Sequence, residues 1–186
     1  MIIKKKGIIT LLLISAVLIL PFMAIKLYSD SQQKKVSDAI YETVILSFVQ
    51  TSSRLDEALM NNDRKKVLMA GVELERMIGL LYSGIGRDQI APALTFGPGS
   101  PSYLAELLIF GDKSTDNKPV GRSGDNTPFT EQEVVIIKCI SDALKEAAMQ
   151  FYSEEASFYD LNKEKPILNS ENLKRALNVL QEITTD

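Results

Sequence analysis

KKKGIITLLLISAVLILPFMAIK, residues 4–26, is the stretch on which the reading of this chain turns. Lys4, Lys5 and Lys6 lead into an uncharged run from Gly7 to Ile25, and Lys26 closes it. The run holds 19 residues. As an α-helix it would measure ~28 Å, close to the ~30 Å hydrocarbon thickness of a bilayer. A basic flank ahead of an apolar run stays on the cytoplasmic side, so the sequence predicts one membrane span with the remainder of the chain outside the cytoplasm. Charge divides in the same sense, +4 over residues 1–26 and −7 over residues 27–186. Pro21 stands near the outer end of the run, where its missing N–H and its ring are expected to kink or end the helix. Leu27 and Tyr28 suit the membrane–water interface.

The expected segments are a cytoplasmic basic flank over 1–6, a transmembrane signal anchor over 7–28 and an extracytoplasmic domain over 29–186. A cleaved signal peptide has a shorter apolar region, about 7–15 residues, and ends in a small-x-small site. Here the exit reads Met23-Ala24-Ile25-Lys26-Leu27-Tyr28-Ser29, so a retained anchor is expected. No cysteine follows the run directly, which excludes a lipid-modified N-terminus. Lys6-Gly7 before an apolar helix also resembles the start of type IV pilin-like precursors, which a peptidase cuts after the glycine. That family carries glutamate at the fifth mature position. Here Leu12 stands there, with Ile9 and Thr10 at the second and third. The resemblance spans about ten residues and implies a pilin-like subunit as an alternative reading.

Beyond the anchor the apolar spacing is helical. Val36, Ile40, Val44, Phe48, Ser52, Leu55 and Leu59 recur every three or four residues, which predicts one long amphipathic helix from Ser31 to about Met60. At ~1.5 Å per residue it would extend ~45 Å. Asn61-Asn62-Asp63 offers side chains that cap helices and bond to turns. A second helix with a stripe of Val67, Ala70/Gly71, Leu74, Met77/Ile78 and Leu81 is expected to fold back as a hairpin over 31–83, closed by Gly84. Residues 84–100 and 111–126 read as loops. Between them Ser100-Pro101 reads as a cap and first turn of a short helix to Phe110. The C-terminal helices occupy 127–184. Thr127-Pro128 and Thr130-Glu131-Gln132-Glu133 give overlapping starts, the latter a capping box, for a helix to about Ala156 with Val134, Ile137, Ile140, Leu144, Ala147/Ala148 and Phe151 inward. Ser170-Glu171 opens the last helix, with Leu173, Leu177, Leu180 and Ile183 inward. The fold class expected is therefore all-α: a single transmembrane helix, then an extracytoplasmic bundle of a long antiparallel hairpin and further helices.

Composition narrows the chemistry. The chain has no histidine, which removes Ser–His and Cys–His catalysis and His-ligated zinc. Asp112-x-Ser114-x-Asp116 opens like a calcium loop, but Asn117 replaces the glycine and Ser123 the closing glutamate. Gly97-Pro98-Gly99 and Gly121-Arg122-Ser123-Gly124 follow no strand, so both read as turns rather than phosphate cradles. Cys139 is the sole cysteine; no internal disulfide can form, and a buried or boundary position is expected for it. The acidic outer part is a poor match to nucleic acid. No catalytic residue, cofactor or metal is expected. The expected partners are the lipid bilayer, through Lys4, Lys5, Lys6, Gly7, Pro21, Ile25 and Lys26, and a protein partner or second copy. The candidate protein-facing residues are Ile45 and Val49, apolar beside the main stripe, and Arg64, Lys65 and Lys66, cationic where the helix dipole disfavours them.

The functional expectation is a non-enzymatic accessory or assembly factor of a bacterial envelope, acting by protein–protein contact. A helical hairpin rising from a membrane helix also resembles bacterial chemoreceptor ectodomains in broad architecture, which implies a ligand-binding sensor as an alternative. Those return through a second membrane helix; no second uncharged run of that length is found before Asp186.

Overall fold

The computed structural model describes residues 2–84, 100–110 and 127–183, with side-chain surroundings for all of these except 2–18, 84 and 162. The elements are α1 (Ile2–Asn61), α2 (Arg64–Gly84), α3 (Pro101–Phe110), α4 (Glu131–Met149), a 3-10 helix (Phe158–Lys163) and α5 (Ser170–Gln181). No strand occurs among the described residues, in line with the all-α expectation. The loops expected at 84–100 and 111–126 lie outside the described residues except at Gly84 and Ser100, and the calcium-like and glycine-rich stretches fall there too. The chain divides into two compact units, Met1–Ser37 and Asp38–Asp186.

In the first unit the helix runs through Pro21 without ending, contrary to a stop at that residue. A proline removes one helical hydrogen bond, and the turns on either side keep theirs. Ile19, Leu20, Phe22, Met23, Ile25, Leu27 and Tyr28 are all exposed, at 54–74%. At 3.6 residues per turn, these positions point in every direction around the axis. Among the described residues no helix is long and apolar enough to cross a membrane. Most of the uncharged run, up to Leu18, lies outside the residues whose side chains are described.

The second unit is organised by one hydrophobic cluster. From α1 it takes Tyr41, Val44, Ile45, Phe48, Leu55 and Ala58, spaced at helical intervals. Val36, expected in this stripe, belongs to the first unit and is exposed, so the stripe starts later than its periodicity suggests. From α2 the cluster takes Val67, Ala70, Leu74, Met77, Ile78 and Leu81, as expected. The turn between them is short for an identifiable reason. Asn62 adopts φ 52°, the left-handed conformation that asparagine tolerates, and the Asp63 N–H reaches back to the Ala58 carbonyl at 2.9 Å. Asp63 Oδ1 then accepts from the Lys65 N–H at 3.0 Å, capping α2.

α3 packs on α2, and Gly71 lets them approach. A Cβ there would stand 2.6 Å from Ile109 Cγ1 and 3.2 Å from the Ala105 carbonyl oxygen. Ser100 caps α3 with Oγ 3.1 Å from the Tyr103 N–H, as expected. Of the two candidate starts for α4, the capping box is used: Thr130 Oγ1 accepts from the Glu133 N–H at 3.2 Å, and Glu133 Oε2 from the Thr130 N–H at 2.7 Å. Val134 is 37% exposed rather than inward, and full burial along α4 begins at Ile137. α4 stops at Met149, well short of Ala156. Phe151 is buried, and its carbonyl accepts from the Ile167 N–H at 2.7 Å, so it is engaged by the returning chain instead of by a further helical turn. α5 opens at Ser170 as expected, is capped by Asn169, and packs on α4, with Leu173, Ala176, Leu177 and Leu180 buried.

Two glycines of α2 give opposite expectations. Nothing lies within 4 Å of a Cβ at Gly79, so Gly79→Ala gains helix propensity and raises stability by about 0.5–1 kcal/mol. Gly71→Ala forces α3 away and lowers stability, by about 1–3 kcal/mol of overpacking less the propensity gain. Thermal melting followed by circular dichroism checks both.

Candidate functional site

Arg64 is the first residue of α2, beside the positive end of the helix dipole. A cation is disfavoured there unless something else holds it. Its side chain is only 8% exposed and forms an ion pair with Glu133, itself 14% exposed. The pair is bidentate, Nη1 to Oε1 and Nη2 to Oε2, each at 2.8 Å. Nε donates to the Thr127 carbonyl at 3.0 Å, and Nη2 also to the Pro128 carbonyl at 3.2 Å. The guanidinium carbon lies 4.7 Å from the centroid of the Phe129 ring. Asn62 Oδ1 adds a bond from the Phe129 N–H at 3.0 Å. The α1–α2 turn thus clasps the approach to α4.

A second polar group joins α1 to α4. Buried Ser141 Oγ donates toward Asp56 Oδ1 at 2.7 Å and the Ser52 carbonyl at 3.1 Å. Lys145 Nζ lies 2.9 Å from Asp56 Oδ2 and 3.2 Å from Asp142 Oδ1. Ser141 and Lys145 are one turn apart, the pairing a serine–lysine hydrolase would use. Burial disfavours the lysine charge, but the hydrogen bonds that Lys145 donates to Asp56 and Asp142 and the charges of both carboxylates outweigh it and raise the Lys145 pKa above its ordinary 10.5. Ser141 is fully buried, and the contacts of Asp56 with Ser141 and Lys145 join α1 to α4.

The candidate residues fall in different places. Lys4, Lys5, Lys6 and Gly7 have helical backbone, with side chains outside the described residues. Pro21, Ile25 and Lys26 are exposed on α1. Ile45 is buried in the core and Val49 half-buried against it, so neither forms the free face expected of them; the apolar stripe is wide because α1 is packed on two sides, by α2 and by α4. Arg64 is likewise turned inward. Lys65 is exposed, and Lys66 pairs with Glu57 across the hairpin. Cys139 is exposed, not buried, because the inward face of α4 runs through Ile137, Ile140, Ser141 and Leu144. No group of three or more His, Cys, Asp or Glu side chains suited to a metal occurs among the described residues. Comparison with protein-family models, curated proteins and solved structures finds no match.

The ionic groups set the pH range of stability. Burial pushes the Glu133 pKa up, but hydrogen bonds from Arg64 and the Thr130 N–H, the Arg64 charge and the Thr130 hydroxyl outweigh it and hold it below the ordinary 4.5. Its contribution is complete above the unfolded-state pKa and is lost as pH falls through the lower folded value. Lys145 behaves oppositely: its contribution is complete below the unfolded pKa and is lost as pH rises through a folded value above 10.5. Glu133→Gln is expected to cost about 3 kcal/mol at pH 7, the low end for breaking a buried pair. The difference from the unaltered chain should shrink as pH falls below 4.5, read by urea denaturation at a series of pH values.

Proposed function

We propose that this chain is a single-pass membrane protein whose helical domain stands outside the cytoplasm and works by binding other proteins, as an accessory or assembly factor of a bacterial envelope. The observation that carries the reading is the ring of exposed apolar side chains from Ile19 to Tyr28. A helix apolar on every side needs an apolar surrounding, and lipid supplies it. The basic flank at Lys4, Lys5 and Lys6 and the uncharged run after it support the same placement, with the N-terminus cytoplasmic.

The binding role is supported by what the outer unit offers. With no histidine in the chain, and with Ser141 and Lys145 committed to helix packing, its described polar clusters are joints between helices. Anchoring confines the domain to the membrane surface, which raises its effective concentration toward any partner held there.

Alkaline carbonate washing should leave the full-length chain with the vesicles and release a chain lacking residues 2–28. Crosslinking in native membranes followed by mild-detergent purification should return a stoichiometric partner or second copy. Release of the full-length chain contradicts the anchor; a solitary, uncrosslinked monomer contradicts the binding role.

A further inference from the structure

The segment Thr127–Ile136, which comprises the four residues before α4 and its first six, has no buried residue, whereas Ile137, Ile140, Ser141, Leu144, Ala147 and Ala148 of α4 are all buried. Phe129 and Ile136 pack half-buried on the core, and the polar attachments of the segment to the rest of the unit run to Arg64 and Asn62. α4 thus has two parts, one fixed by apolar burial and one by a polar clasp. We propose that Thr127–Ile136 is a strap that releases from the domain as a unit while the rest of α4 stays packed, with the Arg64–Glu133 pair as its fastening. The inference concerns the second unit alone and stands whether or not the membrane reading holds.

The physical ground is the difference in what opening exposes. Unfolding the part of α4 beyond Ile136 uncovers six buried residues, five apolar and Ser141, whereas releasing the strap breaks the clasp and uncovers two half-buried apolar side chains, Phe129 and Ile136. The capping box lies wholly within the strap, between Thr130 and Glu133, and the Glu133 carboxylate serves both the box and Arg64. Fastening the strap and starting the helix are therefore coupled through one carboxylate. Release also removes Glu133 from the Arg64 guanidinium, which lies next in sequence to exposed Lys65.

Hydrogen exchange of the full chain in detergent micelles, read by mass spectrometry across a series of low urea concentrations, tests this. Amides of Phe129–Val134 should exchange faster than those of Ile140–Ala148 and with almost no urea dependence, since a local opening exposes little surface. In Glu133→Gln the strap amides should exchange about tenfold faster or more, with the Ile140–Ala148 amides still well protected. Equal rates and equal urea slopes for the two parts would overturn the strap. No acceleration in Glu133→Gln would overturn the fastening. If that variant does not fold, Arg64→Lys, which keeps the charge and loses the planar fork, replaces it with the same two outcomes.

Discussion

A helix apolar on every side is costly to leave in water, and the stretch of α1 from Ile19 to Tyr28 carries exposed apolar side chains all around its axis. Each large apolar side chain kept in water forgoes about 1.5–3 kcal/mol. Seven such residues between Ile19 and Tyr28 are exposed. The sum is on the order of 10 kcal/mol, comparable with the whole stability of a typical domain. Something beyond the chain's own described side chains has to cover that surface, and a bilayer is the covering that the basic flank and the length of the uncharged run also fit. Along α1 the pattern then changes to a buried stripe from Tyr41 to Ala58, which packs against other helices of the second unit.

Within the second unit, apolar burial and polar fastening divide the work. The core holds α2, α3, α5 and most of α4 by helical stripes that meet across short turns. The polar groups sit at the joints: Asn62 and Asp63 at the hairpin, Arg64 and Glu133 where α4 begins, Asp56, Ser141 and Lys145 midway between α1 and α4. Arg64 stands out among them because it satisfies two carbonyls, a carboxylate and an aromatic face at once. Its place at a helix N-terminus costs little once Glu133 supplies the opposing charge.

Much of this was legible from residue order. The stripe of α2, the caps at Ser100 and Thr130 and the break at Asn62-Asp63 are local signals, set by helical period and by side chains that bond to nearby backbone. What could not be read was long-range. Beyond the C-terminal end of α4, Phe151 is bonded by Ile167, 16 residues away, and periodicity carries no trace of that bond. Ile45 and Val49 looked surplus to a single stripe, because a sequence does not show that α1 is covered from two directions. Arg64 carried a clue in its unfavourable dipole position, but its partner lies 69 residues on. Cys139 was misplaced by residue type: its exposure follows from its angular position on α4, which the spacing of Ile137, Ile140 and Leu144 already encoded.

The central claim is that an apolar leader holds a helical domain on the outer face of a bilayer. Cys139 is exposed and is the sole thiol of the chain, so it reports directly on which side the domain lies. A membrane-impermeant maleimide applied to intact spheroplasts should label the full-length chain completely, with no gain on lysis and none in Cys139→Ser. Labelling that appears only after lysis would contradict the account.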